Sequence, residues 1–445
     1  MNKRLVILGG GESGVGAALL AKQKGYHVVL MDEGSLKDGY RNELKEANID
    51  LYEKGINEEV LLQADEVVKS PGIPENNEWV KKIREKGISI IGEIELAYRY
   101  KGSSKIIAVT GSNGKSTTTA LIYHICRTAE LDCALVGNIG YSFAKQVAED
   151  PKPLYVAEIS SFQLDDIVTF KPDVAVLLNI TEDHLDRYDY QFENYVKSKF
   201  RIAMNQDSND HFIYNLDDEV ITGYLERNQI FSNQLPFSMK QKVVKGGHIQ
   251  NDELQVNTGS EQQSMSIYDF ALKGKHNQYN TMAACVAGAT MDIRKNKIRE
   301  AVQTFNNLEH RMETVATVRG VEFINDSKAT NVNSTWYALE SMTKPAILIL
   351  GGVDKGNDYS LIKDLVQEKV KAIVCMGIDN QKIHDAFDGM VKLVDTGSAE
   401  DAVKASYQLA APGDVVLLSP ACASFDLFKN YEDRGNQFKE AVKNL

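Results

Sequence analysis

Ile106-Ile107-Ala108-Val109-Thr110-Gly111-Ser112-Asn113-Gly114-Lys115-Ser116-Thr117-Thr118 runs from a β-branched apolar stretch into a loop of small residues, and helix-forming sequence resumes at Thr119-Ala120-Leu121-Ile122. The pattern reads strand, loop, helix. Glycines at 111 and 114 let backbone N–H groups converge on an anion at a helix N-terminus, where unpaired donors and the helix dipole favour phosphate. Lys115 would reach the outer phosphates of a nucleotide, and the Ser116 hydroxyl suits a Mg²⁺ ion. The generic pattern G-x-x-x-x-G-K-[ST] is not met in full, because Val109 stands five residues before Gly114.

Outward from this loop, the chain has 445 residues, enough for about three domains of the usual ~100–200 residues. Its 43% apolar and 25% charged content is that of an ordinary globular protein. The net charge of −12 argues against a nucleic-acid or membrane-surface partner, which needs a basic face. The N-terminal Met1-Asn2-Lys3-Arg4-Leu5-Val6-Ile7-Leu8 reads as a strand, too briefly apolar for a signal peptide, and no run approaches a membrane span, so a cytoplasmic protein is expected. Five cysteines without a C-x-x-C pair read as reduced thiols.

Before the loop, Leu5 to Leu8 leads into Gly9-Gly10-Gly11-Glu12-Ser13-Gly14, a helical stretch to Lys24, and a second strand, Val28-Val29-Leu30-Met31, ending at Asp32. Gly9, Gly11 and Gly14 fit G-x-G-x-x-G, and Asp32 lies where a ribose-binding acid is expected. Alone, these residues also fit an NAD-dependent oxidoreductase; the fingerprint speaks for a nucleotide diphosphate more firmly than for NAD. Lys69-Ser70-Pro71-Gly72-Ile73-Pro74 follows another strand as a rigid turn at the same edge.

After the loop, one strand delivers Glu158-Ile159-Ser160-Ser161-Phe162-Gln163, and another, Val174 to Ile180, delivers Thr181-Glu182-Asp183-His184-Leu185-Asp186-Arg187-Tyr188. Ligands collect at the carboxyl ends of parallel strands, so Lys115, Ser116, Glu158 and His184 should share an edge and make a Mg²⁺ site beside triphosphate oxygens. In the next helix, Phe192, Tyr195, Val196 and Ala203 define an apolar face that includes Lys199. A lysine there snorkels, pairs, loses its charge or, in an ATP cleft, carries a CO₂-derived carbamate; spacing alone favours snorkelling. From Asp207 to Gln263 the polar, short-patterned sequence reads as β-hairpins and loops, and His276 and Asn280 lie one turn apart before the small-residue helix Thr281 to Ala289. From about Phe305, strand and helix alternate again, with Arg311, Lys328 and Lys355 at strand ends suggesting an anion site.

In order and separation, the motifs Thr110 to Thr117, Glu158 to Gln163, Thr181 to Tyr188, His276-Asn277, His310-Arg311, Asn325-Asp326-Ser327-Lys328-Ala329-Thr330-Asn331 and Ser419-Pro420-Ala421-Cys422-Ala423-Ser424 resemble the Mur ligases of peptidoglycan synthesis over essentially the whole chain. The resemblance implies an α/β protein of three domains: residues 1–94, Rossmann-like, for a UDP substrate; 95–306, a P-loop ATPase-type parallel sheet with added β-hairpins; and 307–445, Rossmann-like, for an amino acid. It implies a monomeric ATP-dependent amide ligase adding D-glutamate to UDP-N-acetylmuramoyl-L-alanine.

By that resemblance Lys115, Lys199, His184 and Glu158 are catalytic, with Ser116, Glu158, His184 and a carbamylated Lys199 holding two Mg²⁺ ions. ATP would meet Thr110, Gly111, Ser112, Asn113, Gly114, Lys115, Ser116, Thr117, His276, Asn280, Arg311 and Asp326. The UDP substrate would meet Gly11, Ser13, Gly14, Asp32, Ser70, Gly72, Asn138 and Gln163, and D-glutamate would meet Lys328, Thr330, Lys355, Ser424 and Tyr431. One departure bears on the uridine: the family often has a Thr-Arg pair after the acid at 32, where Glu33 and Gly34 stand here.

Overall fold

The computed structural model describes residues 3–259 and 262–445, so Met1 and Asn2 of the expected first strand lie outside the described residues. The chain forms two compact units, one running to Ala271 and including Tyr279–Phe305, the other comprising Leu272–Gln278 and Asn306–Leu445. Among the described residues no helix is long and apolar enough to cross a membrane, and all five cysteines are buried and outside any disulfide.

The first unit holds two sheets. Strands β1 (Arg4–Leu8), β2 (His27–Met31), β3 (Asp50–Tyr52), β4 (Glu66–Lys69) and β5 (Ser89–Gly92) are parallel in the order β3-β2-β1-β4-β5. Leu5, Val6 and Ile7 are fully buried because helices cover both faces of a parallel sheet, which is why the strand is continuously apolar. The strand order reverses direction between β1 and β4, the place where such sheets open a ligand crevice.

The second sheet contains β6 (Lys105–Thr110), β7 (Cys133–Gly137), β8 (Leu154–Glu158), β9 (Val174–Leu177), β10 (His211–Asn215), β11 (Asn233–Ser238), β12 (Gly246–Gln250), β13 (Glu253–Asn257) and β14 (Gln262–Ser266). Its order is β14-β13-β12-β11-β10-β9-β6-β8-β7. The stretch from Asp207 differs from the expected hairpins: β10 and β11 extend the parallel sheet, and only β12-β13-β14 is antiparallel. Phe212 and Ile213 are wholly buried in a strand of five residues, too short for its two-sided burial to stand out from a polar neighbourhood.

The second unit carries β15 (Glu313–Val318), β16 (Val321–Asn325), β17 (Ala346–Leu350), β18 (Val370–Met376), β19 (Lys392–Thr396) and β20 (Val415–Leu418), ordered β15-β16-β20-β17-β18-β19. It is parallel except for the edge strand β15, antiparallel to β16.

Three buried charged side chains join the first two sheets. Lys69 at the end of β4 meets Asp166 at 2.9 Å, each side chain 3% exposed. Glu95 accepts hydrogen bonds from the backbone N–H groups of Val168, Thr169 and Phe170, each at 2.9 Å. Glu93 accepts from the Ser142 hydroxyl at 2.8 Å and the Ala144 N–H at 2.6 Å.

Burial pushes the Glu93 carboxyl up to about 7 despite those two donors. Its folded-state pKa therefore lies above the unfolded one, and between about pH 4.5 and 7 the folded state keeps a proton that the unfolded state has released. Stability from this group is largest below that window and falls as pH rises through it, by on the order of 3 kcal/mol in all. Glu93→Gln fixes a neutral side chain that still accepts both bonds. Urea midpoints at pH 5 and pH 8 should lie closer together in the variant than in wild type; an unchanged separation would show that Glu93 does not titrate there.

Candidate active site

The loop after β6 takes the shape that its glycines allow. Gly111 and Gly114 have φ of +153° and +81°, and a Cβ on Gly114 would lie 2.3 Å from the Asn280 Oδ1, so the Asn280 amide packs against the loop where only glycine fits. The segment after β9 braces it: Asn113 N–H donates to Asn179 Oδ1 at 2.8 Å, Asn179 Nδ2 donates to Asn113 O at 3.0 Å, and Ser112 Oγ donates to Thr181 O at 2.9 Å. Tyr195 closes the back of the loop, its hydroxyl 3.0 Å from Ser112 Oγ. Lys115 bends over its own loop and donates to the Gly111 and Ser112 carbonyls, both at 2.8 Å.

Lys199 does not snorkel. Its helix, Phe192–Phe200, ends in a short 3-10 turn, and the side chain points inward, 1% exposed, donating to Gly111 O at 2.9 Å and Thr110 Oγ1 at 3.3 Å. Burial drives its pKa well below the ordinary lysine value, and the neighbouring Lys115 charge pushes the same way against Asp183, Glu158 and Asp165. The result is a buried amine, its charged form disfavoured, directly behind a phosphate-type loop.

The order β9-β6-β8 puts the ends of three adjacent strands at one edge, so Lys115, Ser116, Glu158 and the segment carrying His184 share it as expected. Ser116 is 1% exposed and its Oγ has no hydrogen-bond partner, which suits a hydroxyl able to bind a cation. Glu158, at the last position of β8, accepts from Asn138 Nδ2 at 2.7 Å. His184 sits in the left-handed region at φ +53°, with its ring 5.0 Å from that of Phe162. A hydroxyl, a carboxylate and an imidazole fit a hard divalent cation with two oxygen donors and one less usual nitrogen. Gln163 Oε1 accepts from Ser160 N–H at 2.9 Å in a capping box, so its carbonyl serves the helix Ser161–Asp165.

At the first sheet, Gly9, at φ +96°, packs under Ser70, whose Oγ would be 2.5 Å from a Cβ there, and a Cβ on Gly14 would strike the Gly9 carbonyl at 1.9 Å. Asp32 accepts from Gly10 N–H at 2.6 Å and Gly34 N–H at 2.7 Å, so it holds the glycine loop in shape. Ser13 is partly buried near the start of the helix Glu12–Gln23, whereas Gly11 and Gly72 are exposed. Arg187, from the Thr181–Tyr188 motif, donates to Pro71 O at 3.1 Å and Gly72 O at 3.2 Å while its guanidinium lies 4.3 Å from the Phe162 ring centre. It thereby links the turn after β4 to the edge of the central sheet, a role its sequence gave no sign of.

The second unit gathers its own set. His276 lies beside Tyr337, ring centres 5.4 Å apart, and burial with the Arg311 charge lowers its pKa to about 4, leaving the imidazole neutral. Asp326, after β16, accepts from Ser419 Oγ at 3.0 Å, and burial raises its carboxyl to about 7 in spite of Arg311. Lys328 Nζ stands 5.2 Å from the Tyr431 ring centre. Thr330 is partly buried, Ser424 is buried and Lys355 is exposed on a loop tied to its neighbour where Val353 N–H donates to Ala423 O at 2.8 Å. Arg434, from the helix Tyr431–Lys443, is fully buried and donates to Ser327 O at 2.8 Å and Cys422 O at 3.1 Å, fastening two candidate loops together.

Three family models cover most of the chain: Mur ligase MurD-like N-terminal domain over residues 3–92, Mur ligase middle domain over 109–288, and Mur ligase glutamate ligase domain over 310–422. Among relatives, the UDP-N-acetylmuramoylalanine–D-glutamate ligase of Christiangramia forsetii is 52% identical, with all of both chains covered. The enzymes of that name from Bacteroides fragilis and Salinibacter ruber are 51% and 41% identical, covering 100% of both chains in the first case and 99% and 98% in the second. Among solved structures, UDP-N-acetylmuramate–alanine ligase of Thermotoga maritima matches with a TM-score of 0.64 at 16% identity over all of both chains. The MurF ligase of the same organism, in complex with ADP, matches with a TM-score of 0.61 at 14% identity over 94% of this chain and 95% of that one. With a phosphate-type loop, a buried lysine behind it and end-to-end likeness to such relatives, the chain belongs to the Mur ligase family.

Proposed function

We propose that this chain joins D-glutamate to UDP-N-acetylmuramoyl-L-alanine at the expense of ATP, as a monomeric cytoplasmic enzyme of peptidoglycan precursor synthesis. The observation that carries this reading is the end-to-end likeness, at 52% identity, to a relative bearing that activity in its name. Residues 1–94 take the UDP moiety, 95–306 the ATP, and 307–445 the amino acid.

In the first step an oxygen of the alanine carboxylate attacks the γ-phosphorus of ATP, the bond to the bridging oxygen of ADP breaks, and an acyl phosphate forms. Lys115 leaves its loop carbonyls for the phosphate oxygens and neutralises charge on the transferring group. In the second step the D-glutamate amine attacks the acyl carbon; phosphate departs and the nitrogen loses a proton to give the amide. Lys328, Thr330, Lys355, Ser424 and Tyr431 hold the two glutamate carboxylates and orient the amine.

Ser116, Glu158 and His184 would hold one Mg²⁺, and a carbamate on Lys199 a second. Bound Mg²⁺ supplies positive charge to the phosphoryl oxygens as they gain electron density. An uncharged amine is the form that adds CO₂, and the burial of Lys199 favours that form; its nitrogen would bond to carbon with release of one proton, and the resulting anion would lie beside Lys115. Asn280, Arg311 and Asp326 contribute the remaining ATP contacts.

The test is phosphate release with ATP, Mg²⁺ and UDP-N-acetylmuramoyl-L-alanine, comparing D-glutamate, L-glutamate, L-lysine and meso-diaminopimelate. Release with D-glutamate alone is expected. Release that prefers another amino acid would move the chain to a sister activity, and ATP binding without release would make it a nucleotide-binding protein rather than a ligase.

A further inference from the structure

A cavity of about 120 Å³ lies at the carboxyl ends of β1 and β2, lined by the apolar Leu8, Met31, Ile56 and Ile73, by Trp79, and by the polar Asp32, Glu33 and Asn77. That is room for a single flat ring. Gly9 also lines it, so the cavity adjoins the glycine loop at the point where the strand order reverses.

The placement of Trp79 is built in. Asn77 caps the helix Glu78–Glu85, its Oδ1 accepting from Trp79 N–H at 2.9 Å and Val80 N–H at 3.4 Å, which fixes the backbone of the tryptophan. The indole N–H donates to Glu33 Oε1 at 2.9 Å, which fixes the plane of the ring. The Lys82 ammonium, 4.5 Å from the ring centre and paired to Glu58 at 3.0 Å, covers the indole without bordering the cavity. Four aliphatic side chains, one aromatic wall and an adjoining anion-type loop are the surroundings of a flat heterocycle attached to a phosphate.

We infer that Trp79 is the stacking wall for the pyrimidine of the UDP substrate and that Glu33 is the positioning residue that holds its ring. The inference rests on the UDP reading above. Each Asp32 oxygen already accepts one backbone N–H, from Gly10 and from Gly34.

Trp79 and Trp336 are the only tryptophans of the chain, so Trp336→Phe leaves Trp79 as the single indole emitter. Titration of that full-length variant with UDP, followed in parallel by fluorescence and calorimetry, should show a saturable change of Trp79 emission with one shared dissociation constant. Trp79→Ala should raise the Kd for UDP by about 5- to 150-fold, with Trp79→Phe between it and wild type. Glu33→Ala should weaken UDP binding and leave the KM for ATP unchanged, whereas Glu33→Gln, which still accepts from the indole, should restore it. Calorimetric binding of UDP with no change in Trp79 emission, or with equal affinity in Trp79→Ala, overturns this inference alone. Absence of UDP binding by the wild-type protein overturns it together with the UDP reading.

Discussion

Lys199→Met is expected to lower D-glutamate-dependent phosphate release by at least about 10²–10³-fold while the protein stays folded, as read from the rate and the melting temperature of the same sample. The catalytic loss is that of one charge-stabilising group in a preorganised site. The structural loss is small because burial disfavours the charged amine and a methionine fills nearly the same volume; the bonds to Gly111 O and Thr110 Oγ1 disappear, at about 1–3 kcal/mol. A second variant separates the carbamate from a simple cation. In Lys199→Ala, formate or acetate should partly restore the rate by placing a carboxylate where the carbamate would lie, and bicarbonate should not, since no amine remains to take up CO₂. Full activity in either variant would remove Lys199 from the reaction.

Arg434→Met is expected to lower the stability of the second unit by about 3–5 kcal/mol and to raise the KM for D-glutamate far more than the KM for ATP. The guanidinium is fully buried, and burial pulls its pKa down to about 10 against the nearby Asp426 and Asp326 charges, while its hydrogen bonds go to the Ser327 and Cys422 carbonyls and the Ser327 hydroxyl. Its removal leaves the Ser327 and Cys422 carbonyls without a donor in a dry interior, each at about 1–3 kcal/mol. It also frees the loops carrying Lys328 and Ser424 from one another. Arg434→Lys keeps the charge but only one donor direction, and should fall between the two. Equal KM values for D-glutamate in wild type and Arg434→Met would show that the loops hold their places without it.

The parts of this site that could be read from the sequence are those encoded within one turn of chain. Gly111, Gly114, Lys115 and Ser116 declare an anion loop because their spacing is their geometry. Lys199 could be placed on the apolar side of its helix by counting residues, but its fate could not: whether a lysine reaches water depends on what lies beyond its ammonium, here Thr110 and Gly111, almost ninety positions away. The same limit hid Asn179, Tyr195 and Arg434, ordinary residues whose work is done across tertiary contacts. Asp32 reads as a ligand contact because an acid follows β2; the fold adds a use that the sequence does not show, each of its oxygens accepting from a backbone N–H. Strands β10 and β11 went unseen as parallel strands because each has only five or six residues and is flanked by polar loops. The edge strand β15 escaped too, since a single antiparallel neighbour leaves no mark in a pattern of alternating strands and helices.

The Lys69–Asp166 pair also limits how this protein can change. Losing Lys69 leaves the Asp166 carboxyl without its ammonium in a place with 3% exposure, and losing Asp166 leaves Lys69 only Glu75 at 3.4 Å and the Ile73 carbonyl; a single loss costs up to about 3–5 kcal/mol, whereas exchanging both together for apolar residues of similar volume is often neutral or stabilising. The route between those two acceptable sequences passes through intermediates with a third or more of a typical domain's stability removed. Drift at either position is therefore blocked one step at a time, and a chain that carries this pair is expected to keep it for want of a passable path, whatever the pair contributes to folding.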